Sequence, residues 1–203
     1  CISGETILGV AMTEPGAGSD LAGMKSRAVR DGDDWIINGS KTYISNGING
    51  GAFVVAARTV PGKPHGIGLF VIEEGMNGFS RGRNLSKMGL KAQDTAELFF
   101  ENVRVPAENV LGDPEKGFYS LMHFLAEERL ISACQAVAHG QIAFDITLDY
   151  ILERKAFGKP IGAFQNSRFK MAEMRTGLDA TQTFIAQCVM LHLDGELSAD
   201  LAA

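Results

Sequence analysis

The chain has 203 residues, which allows one large domain or two small ones, and its 45% apolar content is ordinary for a globular protein with a core. A net charge of −5 provides no basic surface for a phosphate backbone, which argues against a nucleic-acid partner. No run of about 18 apolar residues is present, so we expect no membrane span.

The cysteines and the chain ends suggest a cellular context. Cys1, Cys134 and Cys188 are odd in number and form no C-x-x-C pair, so we expect a reducing compartment rather than a disulfide framework. The sequence opens on Cys1 and closes on DLAA within a helix-like pattern, without a signal peptide. These features indicate a piece of a larger protein.

The first half of the chain alternates short β-rich runs with turn clusters such as DGDD and PGKPHG. The runs are TILGVAMT, DWIING, KTYISNG, GAFVVAARTV, GIGLFVI and AELFFENVRV. No helical pattern separates them, which argues against a parallel α/β sheet. We predict an all-β barrel or sandwich domain over residues 1–112.

Residues 113–203 follow a helical pattern instead. Asp113 can cap a helix, and Pro114 suits the first helical position. We predict a long helix over residues 115–155, a break in the segment FGKPIGAF, and a second helix over residues 165–192. The predicted fold class is therefore α+β, with an all-β domain followed by an up-down α-helical domain.

The segment AMTEPGAGSDLAG, residues 11–23, carries the strongest local signal. Gly16 and Gly18 permit close backbone approach, while Thr13, Ser19 and Asp20 supply hydrogen-bonding groups. Such a loop can cradle a phosphate or a flat heterocycle, but the residues alone favour a plain glycine-rich turn. The third glycine of a Rossmann fingerprint is missing.

Four segments together resemble the acyl-CoA dehydrogenases, in the order and with the spacing of that family. They are MTEPGAGSDLAG (residues 12–23), INGSKTYISNG (37–47), ENVRVPAENVLG (101–112) and ERKAFGKPIGAFQ (153–165). The resemblance covers the family's middle β-domain and the first part of its C-terminal helical domain. It implies that an N-terminal helical domain and a later glycine-rich segment of the family lie outside this sequence.

The resemblance implies an FAD site in the first two segments. Thr13 matches a residue near the flavin ring, and Met12 contributes main chain. Gly18 and Ser19 match a turn against the phosphates of the cofactor and the substrate.

In KTYISNG, Tyr43 matches an aromatic residue packed on the flavin, and Ser45 matches a hydroxyl near flavin N5. The family more often has tryptophan and threonine at these two positions. Without the resemblance, Tyr43 is better interpreted as an aromatic β-sheet residue that fills a core.

The segment ERKAFGKPIGAFQ begins with cations, Arg154 and Lys155, that would ordinarily complement a helix C-terminus. The resemblance implies another role, in which Arg154, Phe157 and Gln165 reach the FAD of a neighbouring subunit and Arg154 faces its pyrophosphate. We therefore expect a homo-oligomer, either a dimer or a tetramer.

Three consecutive charges, Glu127, Glu128 and Arg129, interrupt an apolar helical run. At steps of about 100° they cannot share one solvent face, so we expect the Glu128 carboxylate to enter apolar surroundings. From the residues alone, a buried carboxylate paired with a cation is about as favoured as a catalytic base. The resemblance implies the base, at the position used by the long-chain and isovaleryl branches. It also matches Arg129 and the preceding Ala126 and Glu127 to acyl-CoA contacts.

The resemblance thus implies FAD-dependent oxidation of acyl-CoA thioesters to trans-2-enoyl-CoA, with electrons passed to an electron-transfer flavoprotein. The implied compartment is the bacterial cytoplasm or the mitochondrial matrix. Two alternatives stay open: an acyl-CoA oxidase or flavin monooxygenase of the same fold, and a non-enzymatic module or inactive truncated product. The histidines show no metal-ligand spacing, so we expect no metal site.

Overall fold

The computed structural model describes all 203 residues, which form two compact units, Cys1–Leu121 and Met122–Ala203. The first unit is built on one seven-stranded sheet. Its strands are β1 (Leu8–Ala11), β2 (Arg27–Asp31), β3 (Asp34–Ser45), β4 (Ala52–Arg58), β5 (Ile67–Glu73), β6 (Phe79–Asn84) and β7 (Thr95–Val105). The strand order is β1-β4-β2-β3-β7-β6, with β5 also paired to β4. The predicted β-domain is confirmed.

Strand β4 is the centre of the core. It pairs in parallel with β1 and antiparallel with β5, and its run AFVVAA is buried almost throughout because neither of its faces meets open solvent. A parallel pairing of Arg27 with Arg58 joins β2 to β4, and the antiparallel pairs β2–β3, β3–β7 and β7–β6 complete the sheet. The largest buried apolar side chains of this core are Ile37, Ile44, Phe53, Phe70, Ile72, Leu98 and Phe100.

Strands β2 and β6 were not predicted, because their sequences RAVRD and FSRGRN are polar and offer little apolar alternation. Only Ala28 is fully buried in β2, and no residue is fully buried in β6. Conversely, two predicted runs form the single strand β3. No turn divides them. The β3–β7 register is irregular at Ile37/Gly39, near the end of the first run, and again at Lys41/Ile44, within the second.

Helix α1 (Gly117–Glu153) and helix α2 (Gln165–Leu193) confirm the two predicted helices, and a short helix α3 (Ala199–Ala202) follows. The predicted break between them is a hairpin of β8 (Lys155–Ala156) and β9 (Lys159–Pro160). Short 3-10 turns occur at Leu21–Gly23, Ala107–Asn109 and Ile161–Ala163. None of the helices combines the length and the apolar character that crossing a bilayer requires.

Helices α1 and α2 pack antiparallel within the second unit. A Cβ at Gly140 of α1 would lie 3.0 Å from the Leu178 side chain of α2, and the Arg175 guanidinium lies 5.9 Å from the centre of the Phe144 ring. Phe144 belongs to a buried strip of α1 that also includes Leu130 and Val137, at intervals of seven residues. The predicted up-down arrangement is present in this pair.

Candidate functional site

The glycine-rich loop begins where β1 ends and has an open outer side. Reciprocal backbone hydrogen bonds between Glu14 and Ala17, of 2.9 and 3.1 Å, close a tight turn. Gly18 and Ser19 follow this turn and are exposed, and their N–H groups donate to no group of the chain. A Cβ built at Gly16 or Gly18 would meet nothing within 4 Å. The loop can therefore receive a ligand against its backbone.

Tyr43 is displayed at the surface by an irregular piece of β3. It has a φ of 60°, which is unusual for a residue with a side chain, and it is 70% exposed. The interpretation of Tyr43 as a core residue is therefore wrong. The neighbouring Thr42 N–H donates to the Thr13 carbonyl over 2.9 Å, which places this part of β3 beside the loop. Ser45 is exposed two residues further along β3.

A buried ion pair, which was not predicted from the sequence, lies beneath the loop. Lys41 is fully buried, and its Nζ donates to Glu14 Oε1 and to the Met12 carbonyl, each over 2.9 Å. The Glu14 carboxylate also accepts the N–H groups of Lys25, over 2.6 Å, and Ser26, over 2.9 Å. The only signal in the sequence was a single lysine within the otherwise uncharged run NGSKTYIS.

The pKa of each partner lies below its ordinary value, for different reasons. For Glu14, burial favours the neutral acid, but the Lys41 charge and the hydrogen bonds outweigh it, so its pKa falls below the ordinary 4.5. For Lys41, burial lowers the pKa from 10.5, and the Glu14 charge offsets only part of that effect.

A second buried carboxylate, Asp94, holds the turn that follows Ser45. It accepts the Ile48 N–H over 2.6 Å and the Asn49 side-chain amide over 2.9 Å. Asn46, at the start of this turn, donates its side-chain amide to the Leu8 carbonyl over 3.0 Å. The exposed end of β3 is thereby fixed to its neighbours.

In the second unit, Glu127, Glu128 and Arg129 are all exposed on α1. The expectation that Glu128 enters apolar surroundings is not met within this chain, and Glu128 forms no ion pair. Its neighbours one turn away on either side, Phe124 and Ile131, are 58% and 59% exposed. The carboxylate thus lies on an exposed apolar face of the helix.

Two predicted substrate contacts line a cavity of the second unit. Ala126 and Glu127 of α1 border a space of about 330 Å³, whose lining also includes His192 and Leu197. Arg129 is not among the residues that line it.

The three residues predicted to serve a neighbouring subunit cluster around the β8–β9 hairpin. Phe157 and Gly158 form its two-residue tip with φ values of 51° and 78°, and Phe157 is 95% exposed. The Arg154 carbonyl accepts the Ile161 N–H over 2.8 Å, and the exposed Gln165 begins α2. The hairpin presents a bare aromatic ring and, at its base, a cation.

Comparison with known proteins gives matches over both units. The family model of the acyl-CoA dehydrogenase middle domain matches residues 9–103, and that of the C-terminal domain matches residues 115–203. A Sus scrofa protein named long-chain specific acyl-CoA dehydrogenase, mitochondrial, is 48% identical over 204 residues, covering 99% of this chain and 47% of that protein. The chain spans about half the length of the curated relatives it matches.

Solved structures agree with these matches. The crystal structure of an acyl-CoA dehydrogenase from Geobacillus kaustophilus has a TM-score of 0.93 and 49% identity, covering 97% of this chain and 52% of that chain. A glutaryl-CoA dehydrogenase from Mycobacterium smegmatis, solved in complex with FADH2, has a TM-score of 0.92 and 30% identity. That match covers 98% of this chain and 50% of the other.

The lowered pKa of Glu14 predicts a pH-dependent contribution to stability. An unfolded chain protonates Glu14 first as the pH falls below 4.5, so its stabilisation is complete above that pH and is lost as the pH falls through the folded pKa. In the full-length protein, Glu14→Gln should lower the free energy of unfolding by about 3–5 kcal/mol near neutral pH, because Lys41 is left unpaired. The difference from wild type should shrink below pH 4.5, as the pH falls through the lowered folded pKa of Glu14.

Urea denaturation at a series of pH values measures this difference. Glu115→Gln is the matched control, since Glu115 pairs with Lys63 where both side chains are 55% exposed. A difference between wild type and Glu14→Gln that stays constant across the pH range would contradict the prediction.

Proposed function

The chain belongs to the acyl-CoA dehydrogenase family, and on that premise we propose that the full-length protein is an FAD-dependent enzyme that oxidises acyl-CoA thioesters to trans-2-enoyl-CoA. The observation that carries the proposal is the display of Tyr43. A positive φ at a tyrosine costs free energy, and the ring, in a residue that is 70% exposed, recovers little of it through burial. A flat aromatic ligand stacked on the Tyr43 ring would bury the ring and offset the cost of this conformation.

The groups around Tyr43 fit the chemistry of FAD. Its pyrophosphate needs hydrogen-bond donors, which the free N–H groups of Gly18 and Ser19 supply. Its ring heteroatoms need donors at the ring edge, and the hydroxyls of Thr13 and Ser45 are of the right type. In the proposal Met12 contributes through its main chain, and Ser19 also contacts a phosphate of the substrate.

The proposed chemistry divides between cofactor and protein. FAD, when bound, supplies an acceptor for the hydride from the β-carbon. Glu128 takes the proton from the α-carbon, and a carbon–carbon double bond forms between the two carbons. Ala126, Glu127 and Arg129 contact the acyl-CoA. Phe124 and Ile131, one turn away from Glu128 on either side, offer apolar side chains that can exclude water from the reacting atoms once the site is covered.

The proposed assembly is a homo-oligomer, a dimer or a tetramer, in which Arg154, Phe157 and Gln165 serve the FAD of the neighbouring subunit. Support comes from the strained, exposed Phe157 at the hairpin tip. In the proposal electrons leave through an electron-transfer flavoprotein. The compartment is the mitochondrial matrix or the bacterial cytoplasm, since relatives named for mitochondria and bacterial relatives both match.

The first test uses the purified full-length protein. We expect a yellow flavin absorbance that a suitable acyl-CoA bleaches in the absence of oxygen, and slow oxygen consumption in air. A panel of long-chain, medium-chain and branched acyl-CoA thioesters identifies the substrate. Protein that stays colourless and takes up no FAD contradicts the proposal, and rapid oxygen consumption during turnover favours an oxidase or monooxygenase instead.

The assignment of the base predicts the effect of Glu128→Gln. This variant keeps the size of the side chain but cannot accept the proton, so flavin reduction by acyl-CoA should slow by at least about 10²-fold. FAD and acyl-CoA binding should be retained. Stopped-flow absorbance measures the rate, with Asp149→Asn on the exposed part of α1 as the control. Flavin reduction at the wild-type rate would place the base elsewhere.

The proposed assembly predicts the effect of Arg154→Glu. A guanidinium facing a pyrophosphate makes charge-assisted hydrogen bonds, so reversal of its charge should weaken FAD retention by at least about tenfold. Equilibrium dialysis measures the retention, and Arg168→Glu, at an exposed position of α2, is the control. A full-length wild-type protein that is monomeric at working concentration and fully active would refute the assembly.

A further inference from the structure

Three consecutive residues at the start of the glycine-rich loop are attached to β3. The Met12 carbonyl accepts Lys41 Nζ, the Thr13 carbonyl accepts the Thr42 N–H, and the Glu14 carboxylate accepts Lys41 Nζ. Each of these donor-acceptor distances is 2.9 Å. The loop therefore leaves the sheet along one defined path.

The same carboxylate attaches the end of the loop. Glu14 accepts the N–H groups of Lys25 and Ser26, so residues 15–24 form a loop whose two ends meet at a single side chain. Ser26 fits closely against Gly39, where an added Cβ would lie 2.3 Å from the Ser26 hydroxyl, and Gly39 has a φ of 147°. The end of the loop is thus held by hydrogen bonds and by close packing against β3.

Lys41 also precedes the irregular piece of β3 that displays Tyr43. The register with β7 shifts between Lys41 and Ile44, so the direction of the Tyr43 side chain depends on how this piece is anchored. Thr42 is anchored to Thr13, and Lys41 is anchored to Met12 and Glu14.

We propose that Lys41 and Glu14 are positioning residues that set the geometry of the FAD-binding surface while touching neither FAD nor substrate. The pair joins the segments that carry Thr13, Ser19 and Tyr43, and it lies beneath them, with side-chain exposures of 0% for Lys41 and 5% for Glu14. This inference rests on the proposed function. A displacement of about 1 Å in a positioned group can change a reaction rate by about 10²-fold, so the pair influences the site without touching the cofactor.

The experiment compares variants of the full-length protein in three measurements: the dissociation constant for FAD titrated into apoprotein, the flavin absorption spectrum, and the urea midpoint. Lys41→Met removes the ammonium, and the double variant Glu14→Gln/Lys41→Met removes both charges. Arg104→Met is the control, because it removes two exposed ion pairs, with Asp31 and Asp34, from the same unit. The control should bind FAD like the wild type.

Lys41→Met should weaken FAD binding by at least about tenfold and shift the flavin bands. The double variant should recover much of the urea midpoint, since a neutral pair is tolerated where a lone buried charge is not. Its FAD affinity should stay weak, because the Met12 carbonyl is no longer held. A double variant with a recovered midpoint and wild-type FAD affinity and spectrum would overturn the inference.

If Lys41→Met does not fold, Glu14→Asp decides the question. It keeps a negative charge beside Lys41 but shortens the side chain that joins the two ends of the loop. FAD binding should weaken by at least about threefold in the folded variant, and unchanged affinity and spectrum would overturn the inference. Wild-type protein that binds no FAD contradicts the proposed function itself, so the two failures are distinguishable.

Discussion

The ion pair between Lys41 and Glu14 is the constraint on which the glycine-rich loop depends. Removing an ammonium and a carboxylate from water is costly, and a buried pair persists only when further hydrogen bonds satisfy both groups. Here the Met12 carbonyl and the N–H groups of Lys25 and Ser26 supply those bonds. Because the partners come from separate segments, the sheet cannot form fully without giving the loop its shape.

Asp94 has a similar role at the far end of β3, where its buried carboxylate accepts the Ile48 N–H from the inside of the unit. In both places a buried carboxylate satisfies the inward-facing donors of a loop. The outward groups, such as the Ser19 and Ser45 hydroxyls and the Tyr43 ring, are then left on the surface of a rigid support. A ligand that binds them meets groups already oriented, which lowers the entropy cost of binding.

The sequence predicted the helices and strands that local composition alone indicates. β4 and β5 are continuous apolar runs, and the two long helices occupy long segments without proline, so local composition was sufficient. The polar strands β2 and β6 are defined by hydrogen bonds to their neighbours, which composition does not reveal. Lys41 and Glu14 escaped prediction for a related reason. Charged residues are usually exposed, and their burial depends on partners that are distant along the chain.

The charged residues of α1 show the same limit of sequence-based prediction in the reverse case, because here a side chain that was expected to be buried is exposed. The apolar residues around Glu128 indicate a helix with apolar side chains on several faces. The only other long helix of the second unit, α2, cannot cover all of these faces. A helix sequence therefore specifies which surfaces favour burial without specifying what buries them. Phe124 and Ile131 flank Glu128 by about one turn on each side, so any surface that covers both also removes the carboxylate from water. The exposure of the Glu128 carboxylate to water is in this way coupled to the covering of the apolar face that surrounds it.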